Sequence, residues 1–305
     1  MESISIKINE YYNEVQMKVK VGIIGTGNIG CDLLVKVMKS KILECGIFAG
    51  HNPDSEGIKF AEKLGIPTTI DSIRYIEKNP NCCDIVFDAT SAKVHTNNAP
   101  ILEKLSKFAI DLTPAHIGCF CVPIINLEYA LTQKNVNLIT CGGQATIPIA
   151  DALAKVHPEI EYLEIAATIA SKSAGIGTRN NIDEFTRTTK DALHDFTGIK
   201  TTKAIIVLNP AEPPIIMHNT VYALINNPNM EKITSAIKEV ETKVREYVPG
   251  YKITLGPIYE NGRLVITVQV LGTGDFLPQY AGNLDIITCA AIKIAEDYSL
   301  KNRRN

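Results

Sequence analysis

An α/β protein in two parts, a parallel sheet covered by helices and then a smaller α+β domain, is what the sequence predicts, on three observations. The chain has 305 residues, more than a single core comfortably holds. Short β-branched runs alternate with helical patterns up to about residue 150, the sequence form of a parallel sheet with helices on its faces. Beyond that point the strands lengthen and long helices separate them, which fits a more antiparallel sheet.

Residues 1–17 are polar and weakly patterned up to Met17, which stands directly before an apolar run, so they read as an extension outside the fold and Met17 as an alternative start. Residues 19–24 predict the first strand, 29–38 a helix, 46–50 a second strand and 58–64 a helix. Runs at 84–89, 108–112 and 136–140 continue the sheet, and each ends in a loop of small or polar residues, where ligands of such sheets gather. In the second part, 162–170, 204–209 and 264–271 predict strands, and 182–196 and 230–247 predict helices, the latter stopped at Pro249-Gly250. A last apolar-periodic run, 284–298, predicts a helix that packs back on the first part. There is no internal repeat and no low-complexity segment.

The formal net charge of -2 gives no basic footprint for nucleic acid, so a small-molecule partner is expected. No apolar run approaches the roughly 20 residues that cross a bilayer, and the N-terminus lacks a signal-peptide pattern, which together predict a cytoplasmic protein. The eight cysteines, Cys31, Cys45, Cys82, Cys83, Cys119, Cys121, Cys141 and Cys289, contain no CxxC pair. Cys119 and Cys121 form a CxC with only His116 nearby, and no metal site is expected.

Gly25-Thr26-Gly27-Asn28-Ile29-Gly30 is a GxGxxG between a predicted strand and a predicted helix, the Rossmann-type context for a dinucleotide. Gly25 suits the tight turn, Gly27 lets a pyrophosphate approach the backbone, and Gly30 lets helix and strand pack closely. The usual ribose-binding acid after the second strand is missing. The chain reads Gly50-His51-Asn52-Pro53-Asp54, with Asp54 the nearest carboxylate and no arginine to take a 2′-phosphate, so NAD is expected over NADP.

Cys141 differs from the other cysteines because it ends an apolar strand and precedes Gly142-Gly143-Gln144-Ala145-Thr146, with a helix expected near Pro148. A helix N-terminus there would favour the thiolate, the nucleophilic form. The two glycines leave room for a carbonyl, and N–H groups of the turn could receive an oxyanion. A buried structural cysteine is the competing reading of the same residue. Asp88 and Asp111, at predicted strand ends, read as caps of the following turns.

Cys141-Gly142-Gly143-Gln144-Ala145-Thr146-Ile147-Pro148 resembles the signature of the acylating (acetylating) acetaldehyde dehydrogenases, which partner an aldolase in aromatic hydrocarbon catabolism. Further stretches are similar to the same family: Phe87-Asp88-Ala89-Thr90-Ser91, Asp111-Leu112-Thr113-Pro114-Ala115, Ser171-Lys172-Ser173-Ala174-Gly175, Gly177-Thr178-Arg179, Asn209-Pro210-Ala211-Glu212-Pro213-Pro214 and Ala281-Gly282-Asn283-Leu284-Asp285. They run in order from about Lys18 to the last helix.

The resemblance implies a glyceraldehyde-3-phosphate dehydrogenase-like architecture: an NAD-binding domain over 18–150, an α+β catalytic and dimerisation domain over 151–282, and a C-terminal helix over 283–305. It implies that Cys141 carries an acyl thioester. In the mechanism this suggests, backbone N–H groups around Gly142 would hold the oxyanion, with the Gln144 side chain as a further candidate donor. It implies NAD contacts from Gly25, Thr26, Gly27, Asn28, Ile29 and Gly30, from Ser173, Ala174, Gly175, Ile176, Gly177, Thr178, Arg179, Asn180 and Asn181, and from Asn283. A short aldehyde and coenzyme A are the implied substrates, with a homodimer and a 4-hydroxy-2-oxovalerate aldolase as protein partners.

Two departures qualify the match. The family usually has an aspartate two residues after the methionine of the Pro-Pro-x-Ile-Met segment, whereas here Met217-His218-Asn219 leaves Asn219, which cannot take a proton, and His218 as a possible substitute. The stretch 251–272 is also shorter than the family leads one to expect, at the surface where the aldolase would sit. Rival readings are a dehydrogenase of the same architecture that makes an acyl phosphate or free acid, an NAD-binding scaffold that has lost catalysis, and a cysteine hydrolase.

Overall fold

The computed structural model describes residues 18–175, 178–179 and 182–303, so the expected extension, residues 1–17, lies outside the described residues. The first part contains β1 (Val19–Ile24), α1 (Asn28–Lys39), β2 (Leu43–Ala49), α2 (Glu56–Lys63), β3 (Thr68–Thr69), α3 (Ile73–Lys78), β4 (Ile85–Asp88), α4 (Ala92–Lys104), β5 (Phe108–Asp111), β6 (Cys119–Phe120), α5 (Pro123–Ala130) and β7 (Asn135–Asn137). The strands pair in the order β3-β2-β1-β4-β5-β7-β6, all in parallel. The chain leaves β1 towards β2 on one side and returns to β4 on the other, so the crevice between the carboxyl ends of β1 and β4 is the topological switch point where such sheets bind ligands.

The second part begins with α6 (Cys141–Val156) and continues with β8 (Tyr162–Ala170), α7 (Ile182–Thr197), β9 (Thr202–Asn209), β10 (Met217–Leu224), α8 (Met230–Arg245), β11 (Tyr251–Glu260), β12 (Arg263–Val270) and α9 (Gly282–Arg303). Its sheet runs β11-β12-β10-β8-β9, antiparallel except for the β8–β9 pair. Burial alternates residue by residue along β8, β10 and β12, which is the period of a sheet with one covered face. The inner residues, among them Ile165, Ala167, Val221, Ile266 and Val268, join Ala145, Ile147, Ile149 and Leu153 of α6 in one core.

Three sequence expectations change here. The helix after Cys141 starts at Cys141 itself, not near Pro148, because Thr140 caps it; Pro148 falls inside, in a turn where the Tyr251 hydroxyl donates to the Ala145 carbonyl at 2.8 Å. The expected boundary at residue 150 lies within this helix, and the apolar side chains of α6 assign it to the second core. The helices α3, α4 and α5 and the strands β3, β6, β10 and β11 have no counterpart among the elements expected from the sequence. In α4 the buried positions include His95 and Asn98, so the inward stripe is polar and apolar periodicity does not reveal it.

The last helix returns to the first part. Tyr298 stacks on Phe108 with ring centroids 3.9 Å apart, and Ser40 donates to Glu296 at 2.6 Å. Among the described residues no helix is long and apolar enough to cross a membrane.

Candidate active site

The turn after β1 is built as the sequence indicates. Gly25 has φ +111°, and a Cβ on it would run into the Ala89 carbonyl of the neighbouring strand end, so only glycine fits. Gly27 faces open space, and as N-cap of α1 it supplies no side-chain cap, leaving the first N–H groups of that helix for a ligand. A Cβ on Gly30 would collide with the Gly25 carbonyl, while Thr26 pairs its hydroxyl with Ser55 at 2.8 Å. The crevice residue Asp54 is exposed, and its N–H is held by Asn52 Oδ1 at 2.9 Å.

A cavity of about 120 Å³ lies at the meeting of the two parts, lined by Ile29 of the nucleotide turn, Thr90, Ser91, Leu112, Thr113, Pro114, Ile139, Thr140, Cys141, Thr178, Phe185, Asn283, Leu284 and Ile287. Ile29, Cys141, Thr178 and Asn283 are among the residues expected at the site from the sequence. Thr90, Thr113, Thr140 and Phe185 are not, although Thr90 and Thr113 each follow a strand-end aspartate by two residues.

Cys141 is the first residue of α6. Thr140 Oγ1 accepts the Gly143 N–H at 2.9 Å and its carbonyl accepts the Gln144 N–H at 2.9 Å, so the two remaining N–H groups of the first turn, on Cys141 and Gly142, are left to the thiol. Burial pushes the thiol up to about 12, against the opposing pull of those two N–H groups. The helix end therefore does not by itself make a thiolate, because desolvation outweighs it. Thr140 is fixed in turn by Thr189, 2.7 Å away, and Ile139 before it stands at φ +64° with its N–H on Asn137 Oδ1 at 2.7 Å.

The Gln144 side chain has a different task from the expected one. It is fully buried, and its Nε2 donates to the Cys121 carbonyl at 2.7 Å and the Leu138 carbonyl at 3.0 Å, so both amide protons are committed to bracing the turn. Arg179 donates within its own loop, to Ala174 O at 3.1 Å and to Ser171 O and Oγ at 2.8 Å. Ser173 is buried with its hydroxyl on Ala170 O, Asn283 donates to Ser173 O at 3.4 Å, and Ala174 and Gly175 continue this loop. Ile176, Gly177, Asn180 and Asn181 lie outside the described residues.

Residues 20–128 match the family described as "Semialdehyde dehydrogenase, NAD binding domain", and residues 141–278 match "Prokaryotic acetaldehyde dehydrogenase, dimerisation". A protein of Pectobacterium atrosepticum named acetaldehyde dehydrogenase is 53% identical over 281 residues, 92% of this chain and 95% of its own. The chain belongs to the acetaldehyde dehydrogenase family. Acetaldehyde dehydrogenases of Spirochaeta aurantia and Geobacillus stearothermophilus are each 50% identical, over 92% of this chain and 95% and 96% of theirs. The fold is shared with aspartate semialdehyde dehydrogenase with NADP from Candida albicans, at TM-score 0.64 and 15% identity over 94% of this chain and 99% of that one. Aspartate semialdehyde dehydrogenase II of Vibrio cholerae gives TM-score 0.62 at 13% identity over the same shares. The architecture is glyceraldehyde-3-phosphate dehydrogenase-like.

Within this acetaldehyde dehydrogenase fold, β10 sets Asn219 and His218 on opposite faces of the second sheet. Asn219 points inwards, fully buried, opposite Ala167 of β8, the residue that a Cβ on Gly142 would approach to 3.0 Å. Its Oδ1 accepts the Thr168 N–H at 3.2 Å and its Nδ2 has no partner among the described residues. His218 points to the outer face, 3.2 Å from the Ile216 carbonyl, and cannot stand in for the missing aspartate. The CxC residues form no centre: Cys119 lies 3.2 Å from the Phe120 carbonyl, Cys121 is buried, and His116 stacks on Phe120 at 4.2 Å. Among the described residues no three potential metal ligands come together.

Proposed function

We propose that this chain is a CoA-acylating, NAD-dependent dehydrogenase that oxidises acetaldehyde or another short aldehyde to the acyl-CoA through a thioester on Cys141. The observation that carries this is the placement of Cys141 at the head of α6, in one cavity with Ile29 of the nucleotide turn and Asn283 of the last helix. The nucleotide turn fits NAD: Gly27 leaves space for a pyrophosphate, and the first N–H groups of α1 lack a side-chain cap.

In this reading the Cys141 thiol gives up its proton to solvent, the thiolate attacks the aldehyde carbon, and the N–H groups of Cys141 and Gly142 hold the oxyanion of the resulting thiohemiacetal. The turn from Gly25 to Gly30 and the first N–H groups of α1 would hold NAD, which would supply the hydride acceptor for the oxidation to the thioester. Phe185, Leu284 and Ile287 supply the apolar wall that keeps water from the thioester until the coenzyme A thiol removes the acyl group. Thr140, Gln144 and Asn137 hold the turn that carries the sulfur.

The outer face of the second sheet exposes Val207, Leu224, Leu255 and Ile258, which supports a homodimer through that sheet. Family membership supports a 4-hydroxy-2-oxovalerate aldolase as a further partner, and co-purification from the native source tests that. All eight cysteines are free, as suits a reducing cytoplasm.

The deciding experiment follows NADH absorbance with acetaldehyde, NAD and coenzyme A, for the wild type and Cys141→Ala in parallel. Turnover that requires coenzyme A and vanishes in the variant supports the reading. NAD binding without turnover would point instead to a scaffold protein, the reading that Asn219 favours.

A further inference from the structure

One buried cluster of charge behind the cavity has no part in the chemistry above. Asp88, Asp111 and Asn137 end the parallel strands β4, β5 and β7, and each makes the same local turn. Asp88 Oδ1 accepts the Thr90 N–H at 3.1 Å, Asp111 Oδ1 the Thr113 N–H at 2.8 Å, and Asn137 Oδ1 the Ile139 N–H at 2.7 Å. The three residues so held, Thr90, Thr113 and Ile139, all line the cavity of Cys141.

The turns are tied to one another. Asn137 Nδ2 donates to Asp111 Oδ2 at 2.7 Å and to the Thr113 carbonyl at 2.9 Å, joining the second turn to the third. His95, reaching in from α4, joins the first to the second, with Nδ1 2.9 Å from Asp88 Oδ2 and Nε2 3.4 Å from Asp111 Oδ2. All three ionisable groups are fully buried, and Asn98 Nδ2 adds a bond to Asp88 at 2.8 Å.

The carboxylates on both sides of the ring favour its charged form. A neutral imidazole donates from one nitrogen only, yet both nitrogens of His95 face carboxylates. Nε2 also lies 3.0 Å from Asn135 Nδ2, while Asn135 Oδ1 has no partner among the described residues. Half a turn of the Asn135 amide lets Oδ1 accept from Nε2–H and places Nδ2 where Oδ1 had stood. Two buried carboxylates without a cation between them would be strongly unfavourable: burial already raises the Asp111 carboxyl to about 6, against the pull of His95, Thr113 and Asn137. Burial alone lowers the His95 pKa, but the Asp88 hydrogen bond and the charges of Asp111 and Asp88 together raise it.

We propose that His95 is a positioning residue for Cys141: an imidazolium clamped between Asp88 and Asp111 that holds three strand-end turns in the register the thiol needs. The role rests on Cys141 being the nucleophile, and the tests separate the two ideas.

The first test uses the full wild-type chain with ¹⁵N-labelled histidine. At about pH 8, well above the ordinary histidine value of roughly 6.5, both ring nitrogens of His95 carry protons; a single neutral tautomer there overturns the proposal. The second uses Asp88→Asn/His95→Gln, which preserves the net charge of the cluster. The expected result is a folded protein whose kcat and Cys141 alkylation rate with iodoacetamide fall by roughly ten- to a hundredfold, the scale of a small misplacement, while KM for NAD changes by less than about twofold. Wild-type kcat and alkylation in that folded variant overturn the positioning role. If the variant does not fold, the ring signal of the wild type still decides. Turnover surviving in Cys141→Ala would instead sink the nucleophile, whatever the state of His95.

Discussion

Lys36 Nζ stands 2.8 Å from Asp285 Oδ1, so a buried charge pair joins the first helix of the nucleotide domain to the last helix of the chain, 249 residues on. Asp32 is 2.7 Å from the same nitrogen, and Thr288 and Thr273 donate to Asp32 and Asp285 respectively. Replacing Lys36 by Met removes the one cation between two buried carboxylates. The expected loss is about 3–5 kcal/mol, read as a lower urea midpoint at unchanged slope. A loss under about 1 kcal/mol, the surface-pair value, would mean that the cluster does not lock α9 onto α1.

Gly142 is where the packing of the second sheet touches the chemistry. A Cβ there would stand 3.0 Å from Ala167 Cβ and 3.1 Å from Phe185 Cζ, and Phe185 is a wall of the cavity. Gly142→Ala should therefore displace Phe185, costing about 1–3 kcal/mol of stability and lowering kcat by more than that loss accounts for. Steady-state kinetics well below the melting temperature check this. Wild-type kcat would show that Phe185 gives way without consequence.

How much of this was legible in the sequence depends on whether a residue is local or relational. The GxGxxG turn was legible because Gly25 and Gly30 answer to neighbours within a few residues or at the adjacent strand end. Strands such as β1 and β8 were legible because burial imposes a plain apolar pattern. The place of Gln144 was not legible because the sequence shows a side chain's chemistry but not its partners, and this amide gives its protons to the Cys121 and Leu138 carbonyls. His95 was invisible for a related reason: α4 turns polar groups inwards, so its buried stripe reads like a solvated face. Asn219 and His218 were ambiguous as neighbours in sequence, and the strand alternation separates them.

The resting thiol of Cys141 lies far from its ordinary range, pushed up to about 12 by burial although two N–H groups pull the other way. At neutral pH the thiolate is then a trace species in the protein without ligands. The alkylation rate with iodoacetamide should rise about tenfold per pH unit between roughly pH 7 and 10, with no plateau. The sign follows from a raised pKa: the reactive form grows as pH climbs towards it. A plateau near neutrality would show that the helix end wins over desolvation after all.

Asn219→Asp restores a proton acceptor at a buried position opposite Ala167. One carboxylate oxygen can keep the Thr168 N–H, and the unpartnered Nδ2 is lost. Burial raises the pKa of such a carboxyl towards neutrality, where it is useful as a base. The variant should gain about ten- to a hundredfold in kcat near pH 8, with a new acid limb in the kcat profile. It should also be less stable, and the sign of that cost is fixed. With a folded-state pKa above the unfolded value of about 4, the penalty is absent below that pH and grows as pH rises through the folded value. Thermal melts across that range and kinetics of both proteins test the two halves together. A variant that loses stability in this way yet gains no rate would mean that proton removal at position 219 does not limit turnover in this chain.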